Sequence, residues 1–155
     1  MNRRTFVAIV LTLVVGSAIF ASVARADENN QATQVTFGQS VEIPGQVLPA
    51  GSYLFLVASD GYDRNLVRIF SADRSKLFAS LATVDSERKA PARKTMFTLA
   101  ERSSDQPAAL LTWFYPGNST GHQFVYSKSE SAELARDTRQ TIQGDSTTSD
   151  YAGSN

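Results

Sequence analysis

Cysteine is absent from the 155-residue chain, and histidine and tryptophan occur once each. Without thiols there can be no disulfide, thiolate metal site or cysteine nucleophile, so the fold must rest on its apolar core alone. The 15 basic residues only balance the 15 acidic ones, which leaves no positive excess to hold nucleic acid or polyphosphate. Long apolar runs are missing too. The longest, Phe6 to Phe20, falls short of the ~20 residues a membrane-crossing helix needs, and polar sequence follows it.

That run has the layout of an export signal. Met1-Asn-Arg-Arg4 is a basic start and Ala24-Arg25-Ala26 a small-x-small cleavage site, so cleavage is expected after Ala26, with no transmembrane segment left behind. Arg3-Arg4-Thr5-Phe6 has the twin-arginine form, while the apolar strength of Leu11 to Val15 suits the general secretory route, and both remain open. The signal would take Arg3, Arg4 and Arg25 with it and no acid, leaving a mildly acidic domain in the periplasm or outside the cell.

From Val35 onward the pattern is that of strands. Val35 to Phe37, Val41 to Ile43, Gln46 to Leu48, Tyr53 to Val57, Leu66 to Phe70, Leu77 to Val84, Thr95 to Leu99, Ala109 to Tyr115 and His122 to Tyr126 are short apolar or alternating runs. Turn signals such as Pro44-Gly45, Pro49-Ala-Gly51, Asp60-Gly61 and Pro116-Gly117 separate them. The fold class expected is all-β: an antiparallel sandwich or small barrel of seven to eight strands over residues 34–126. Ser127-Lys-Ser-Glu130 then has the capping-box form, and Ala132, Leu134, Ala135, Thr138 and Ile142 recur near helical spacing, which predicts a short C-terminal helix over 127–143. Residues 27–33 and 144–155, small and polar, are expected to be disordered.

Gly117-Asn-Ser119-Thr-Gly121 matches the Gly-x-Ser-x-Gly nucleophile elbow. An elbow needs a strand before its serine and a helix after it, whereas His122-Gln-Phe-Val-Tyr126 reads as a strand, so the match is taken as a strand connection. Glu101 and Asp105 are carboxylates for a glycan-cleaving pair only if the fold unites them. Asp60, Asp63 and Asn65 lack the spacing of a calcium loop. No metal or cofactor is expected. Arg88, Lys89, Arg93 and Lys94 form the one basic cluster and read as a solvated loop, with contact to an anionic envelope polymer as the other reading.

The aromatic residues carry more. Pairing Ala109–Tyr115 with His122–Tyr126 across a six-residue loop sets Tyr115 opposite His122, Trp113 opposite Phe124 and Leu111 opposite Tyr126, all on one face. Trp113 and Phe124 are then expected in the core, with Tyr115, His122, Asn118 and Ser119 at its rim as the candidate ligand contacts.

Leu48-Pro-Ala-Gly-Ser-Tyr-Leu-Phe55, Leu111-Thr-Trp-Phe-Tyr-Pro-Gly117 and Gly121-His-Gln-Phe-Val-Tyr126 together resemble an uncharacterised group of small exported bacterial β-rich proteins. The likeness spans Val35 to Tyr126 and implies no activity, cofactor or site. The functional expectation is therefore an exported, non-catalytic binding or envelope-associated domain whose partner is an envelope polymer, glycan or protein. Its competitors are a secreted hydrolase or glycan-active enzyme and a structural subunit of a surface assembly.

Overall fold

The computed structural model describes residues 31–57, 65–103 and 105–146. The signal segment and the Asp60-Gly61 turn lie outside these residues. Among the described residues are ten strands and one helix: β1 (Ala32–Phe37), β2 (Val41–Ile43), β3 (Gln46–Leu48), β4 (Gly51–Val57), β5 (Leu66–Ser71), β6 (Leu77–Glu87), β7 (Thr95–Glu101), β8 (Ala108–Phe114), β9 (Thr120–Phe124), α1 (Lys128–Leu134) and β10 (Thr138–Ser146). The order β8-β7-β10-β1-β4-β5-β6-β9 returns to β8, so eight antiparallel strands close into a barrel. Closure removes the open edges that would otherwise template aggregation.

The interior is filled by alternation. Tyr53, Phe55 and Val57 of β4, Val67 and Ile69 of β5, and Phe97 and Leu99 of β7 point inward and are buried. Phe55 lies edge-on to Phe97 at 5.0 Å, and Phe97 stacks on Trp113 with 7° between their planes. A barrel of eight strands is just wide enough for side chains to fill. With Phe55, Phe97 and Trp113 each 0% exposed, the middle of this one is core and not a channel.

One end of the barrel is covered. β2 and β3 form a hairpin through Pro44-Gly45, where Gly45 takes φ 85°, a left-handed conformation glycine adopts at little cost. β2 runs parallel to the start of β8. At the same end the capping box of α1 is complete, with Ser127 Oγ accepting from the Glu130 amide and Glu130 from the Ser127 amide. Leu134 buries against the core. Arg102, 10% exposed, pairs with Glu42 at 2.5 Å and reaches Glu133 and Asp137 at 3.9 Å, which fastens α1 and the start of β10 to the hairpin. The Tyr126 hydroxyl donates toward the carbonyls of Leu110 (2.8 Å) and Glu42 (3.1 Å), and its burial there raises its pKa.

The chain after Tyr126 differs from the expectation. The helix stops at Leu134, and Thr138 to Ser146, expected as helix end and disordered tail, is a strand that pairs with β7 from Thr138↔Glu101 to Gly144↔Thr95 and with β1 at Thr33 and Gln34. Without it the barrel would stay open between β7 and β1, so the ladder bonds on offer override a weak helical periodicity. Gly144 fits because a methyl there would lie 2.9 Å from Thr33 Cγ2 and 3.0 Å from Phe97 Cε2. Ala32 and Thr33, also expected to be disordered, begin β1 and are buried.

Candidate functional site

The end of the barrel away from the hairpin and α1 gathers the starts of β1, β5 and β9 with the ends of β4, β6 and β8. A cleft of about 430 Å³ lies there, within the ordinary range for small-molecule sites. Gln31, Asn65, Asp85, Asn118, Ser119 and His122 give it a polar lining, with Val57 on one wall.

The rim loop is held by its backbone. Gly117, at φ 86°, donates to the Ala92 carbonyl at 2.8 Å, Ala92 donates to the Asn118 carbonyl at 3.0 Å, and Arg88 donates to the Ser119 carbonyl at 2.9 Å. The Gly117–Thr120 segment is thus laced to the β6–β7 connection. Two of its side chains stay available: among the described residues, neither the Asn118 carboxamide nor the Ser119 hydroxyl has a hydrogen-bond partner, while the Thr120 hydroxyl donates to Glu87.

His122 forms the floor and is 8% exposed. Its ring lies 5.3 Å from that of Trp113, tilted by 32°. Thr83 Oγ1 donates to the Asn65 carbonyl at 3.0 Å, so it accepts from His122 Nδ1–H at 3.2 Å. That chain selects the Nδ1–H tautomer of the neutral ring and leaves Nε2 facing the Gln31 carboxamide at 3.2 Å. Gln31 Oε1 accepts from Nε2–H when the ring is protonated, and turning the amide presents its NH₂ to the neutral ring. Burial lowers the His122 pKa, and Asp85, opposite it across the β6–β9 ladder, opposes that in part.

Three of the four expected contact residues meet here. His122, Asn118 and Ser119 line the cleft; Tyr115 does not. It is half-buried against the core, and burial raises its pKa. Trp113 and Phe124 are core, as expected, at 0% and 3% exposure. The expected register is corrected by two residues: Trp113, not Tyr115, pairs with His122. An even slip keeps every side chain on its face, so the core assignment survives it. The slip arises because Thr120 and Gly121 pair with Glu87 and Ser86 of β6, and Gly117 and Asn118 with Ala92, drawing the loop away from β8.

Sequence reasoning missed Gln31, Asn65 and Asp85 as lining residues. Each is an ordinary polar residue at a strand terminus, and only closure of the barrel brings them to one mouth. Ser119 enters β9 directly, without the helix an elbow requires, and both His122 nitrogens face Thr83 and Gln31. Glu101 ends β7 at the opposite end of the barrel, and Asp105, its pKa lowered by the Ser103 hydroxyl, follows it in the next turn. Among the described residues no group of three or more His, Asp or Glu could hold a metal ion, and no helix is long and apolar enough to cross a membrane. No protein-family model, curated protein or solved structure matches the chain.

Proposed function

We propose that this protein is an exported, non-catalytic binding domain that takes a small polar ligand into the mouth of its barrel. One observation carries the reading. Asn118, Ser119, Asn65 and Asp85 converge on a single cleft with side chains unpartnered by hydrogen bonds among the described residues, and the loop that carries Asn118 and Ser119 is fixed beforehand by three backbone hydrogen bonds. Preformed polar groups recognise hydroxyl- and amide-rich ligands without a loop-ordering cost. The hydroxyls of Tyr126 and Thr83, by contrast, are bonded within the fold, so the unpartnered side chains of the mouth are the ones left for a ligand.

A panel of monosaccharides and envelope-polymer fragments, titrated while backbone amide shifts are followed, tests this. The expected result is saturable shifts at residues 117–122 and Asn65 for at least one compound, weakened by Asn118→Ala with the melting temperature unchanged. Shifts confined to the covered end, or none across the panel, would overturn the reading.

A further inference from the structure

We infer that the ligand carries an amine beside its hydroxyl groups, as an amino sugar does; this deepens the binding reading above and rests on it. Asp85 supplies the only carboxylate among the described lining residues, and no lysine or arginine is among them. Asp85 is exposed and makes no ion pair or hydrogen bond among the described residues, so no cation among them neutralises it there. Glu87 lies two residues further along β6 and therefore on the same face. It accepts from the Thr120 hydroxyl at 2.9 Å, adding a second carboxylate to the rim.

The neighbouring basic residues do not offset these acids. The Arg88 guanidinium sits 5.1 Å from the Phe114 ring centre, with its Nη1 at 2.8 Å from Met96 Sδ. Both are residues of the barrel wall, and neither lines the cleft. Lys89, Arg93 and Lys94 do not line it either. His122, the titratable group that faces Asp85 among the described residues, is held toward its neutral form by burial. Thr83, Gln31 and Trp113, which pack around that ring, bring no charge.

The mouth thus presents a fixed negative charge flanked by the neutral donors and acceptors of Asn65, Asn118, Ser119 and Gln31. An ammonium group placed against Asp85, with hydroxyls reaching the amides, matches it. A carboxylate on the ligand would face only like charge.

Glucosamine, glucose and glucuronate differ mainly in charge, and titration calorimetry at neutral pH and low salt on the protein and on Asp85→Asn separates the cases. The expected order is glucosamine, then glucose, then glucuronate, with about a fivefold advantage for glucosamine over glucose, the upper range for one partly exposed ion pair. Added salt should shrink that advantage and leave glucose affinity as it was. Asp85→Asn should erase it, Asp85→Glu should keep part of it, and Asn118→Ala should weaken glucosamine and glucose alike. If glucose binds the mouth as tightly as glucosamine, or the preference survives Asp85→Asn, this inference falls while the binding reading stands. If the wider panel also leaves the mouth unshifted, both fall.

Discussion

Trp113 offers the sharpest test of the barrel core, because two substitutions there have different expected costs for reasons legible in the structure. The indole is 0% exposed and is wedged among Phe55, Phe97 and His122 at ring separations of 6.0, 6.1 and 5.3 Å. Its Nε1–H has no hydrogen-bond partner among the described residues. Trp113→Ala removes the whole packed ring and should cost about 3–5 kcal/mol, a large share of the 5–15 kcal/mol typical of a domain. Trp113→Phe also loses volume, but it deletes a buried donor whose unmet desolvation costs about 1–3 kcal/mol. The two effects oppose, so the net change should stay within about 1 kcal/mol. Urea denaturation followed by far-ultraviolet circular dichroism measures both, with the midpoint read at constant slope. Losing the ring should also admit water beside His122, so its pKa in Trp113→Ala should climb back toward the ordinary imidazole value. The reasoning is refuted if Trp113→Ala unfolds like the parent protein, or if Trp113→Phe is as damaging as the alanine variant.

Gly121→Ala should be among the most destabilising single-methyl additions, since the new Cβ would lie 2.5 Å from Phe114 Cδ1 and 2.6 Å from the Trp113 carbonyl, a backbone atom with little room to move; a loss of about 1–3 kcal/mol is expected by thermal melting. Arg102→Ala would leave Glu42 half-buried without its partner and release α1, so a drop of about 3 kcal/mol and faster amide exchange in Lys128–Leu134 are expected. Lysine at position 102 should rescue little, because it cannot reach Glu42, Glu133 and Asp137 as a planar fork does. Burial keeps the His122 pKa below its ordinary value of about 6.5, so the unfolded chain binds the proton more readily. Its contribution to stability is therefore intact above that value and is lost as pH falls from there through the lowered folded pKa. His122→Gln should flatten that part of the pH–stability curve.

The barrel strands up to Phe124 were legible in the chain because most carry large apolar side chains on the buried face between turn residues. Tyr53, Phe55 and Val57, which follow the Pro49-Ala-Gly51 turn signal, are an example. β10 was hidden for the opposite reason. Only Ile142 along it is apolar, and none of its residues is fully buried, so its place comes from the ladders with β7 and β1 and not from its own pattern. The strong capping box before it also favoured helix throughout. At the mouth, the Pro116–Gly121 loop was legible from its glycines and its position between aromatic strands. Asp85 was not, since its meaning depends on standing opposite His122 across a ladder that links residues far apart in sequence.

The central claim, that the barrel mouth is where this protein meets its ligand, is tested most directly by a crystal structure of the protein with glucosamine at saturating concentration. The account predicts the sugar in the cleft with its amine at the Asp85 carboxylate and hydroxyls on Asn118 and Ser119, above His122. A mouth left empty while the sugar occupies another surface would contradict it, whereas a sugar in the cleft with its amine turned away from Asp85 into solvent would overturn only the amine inference.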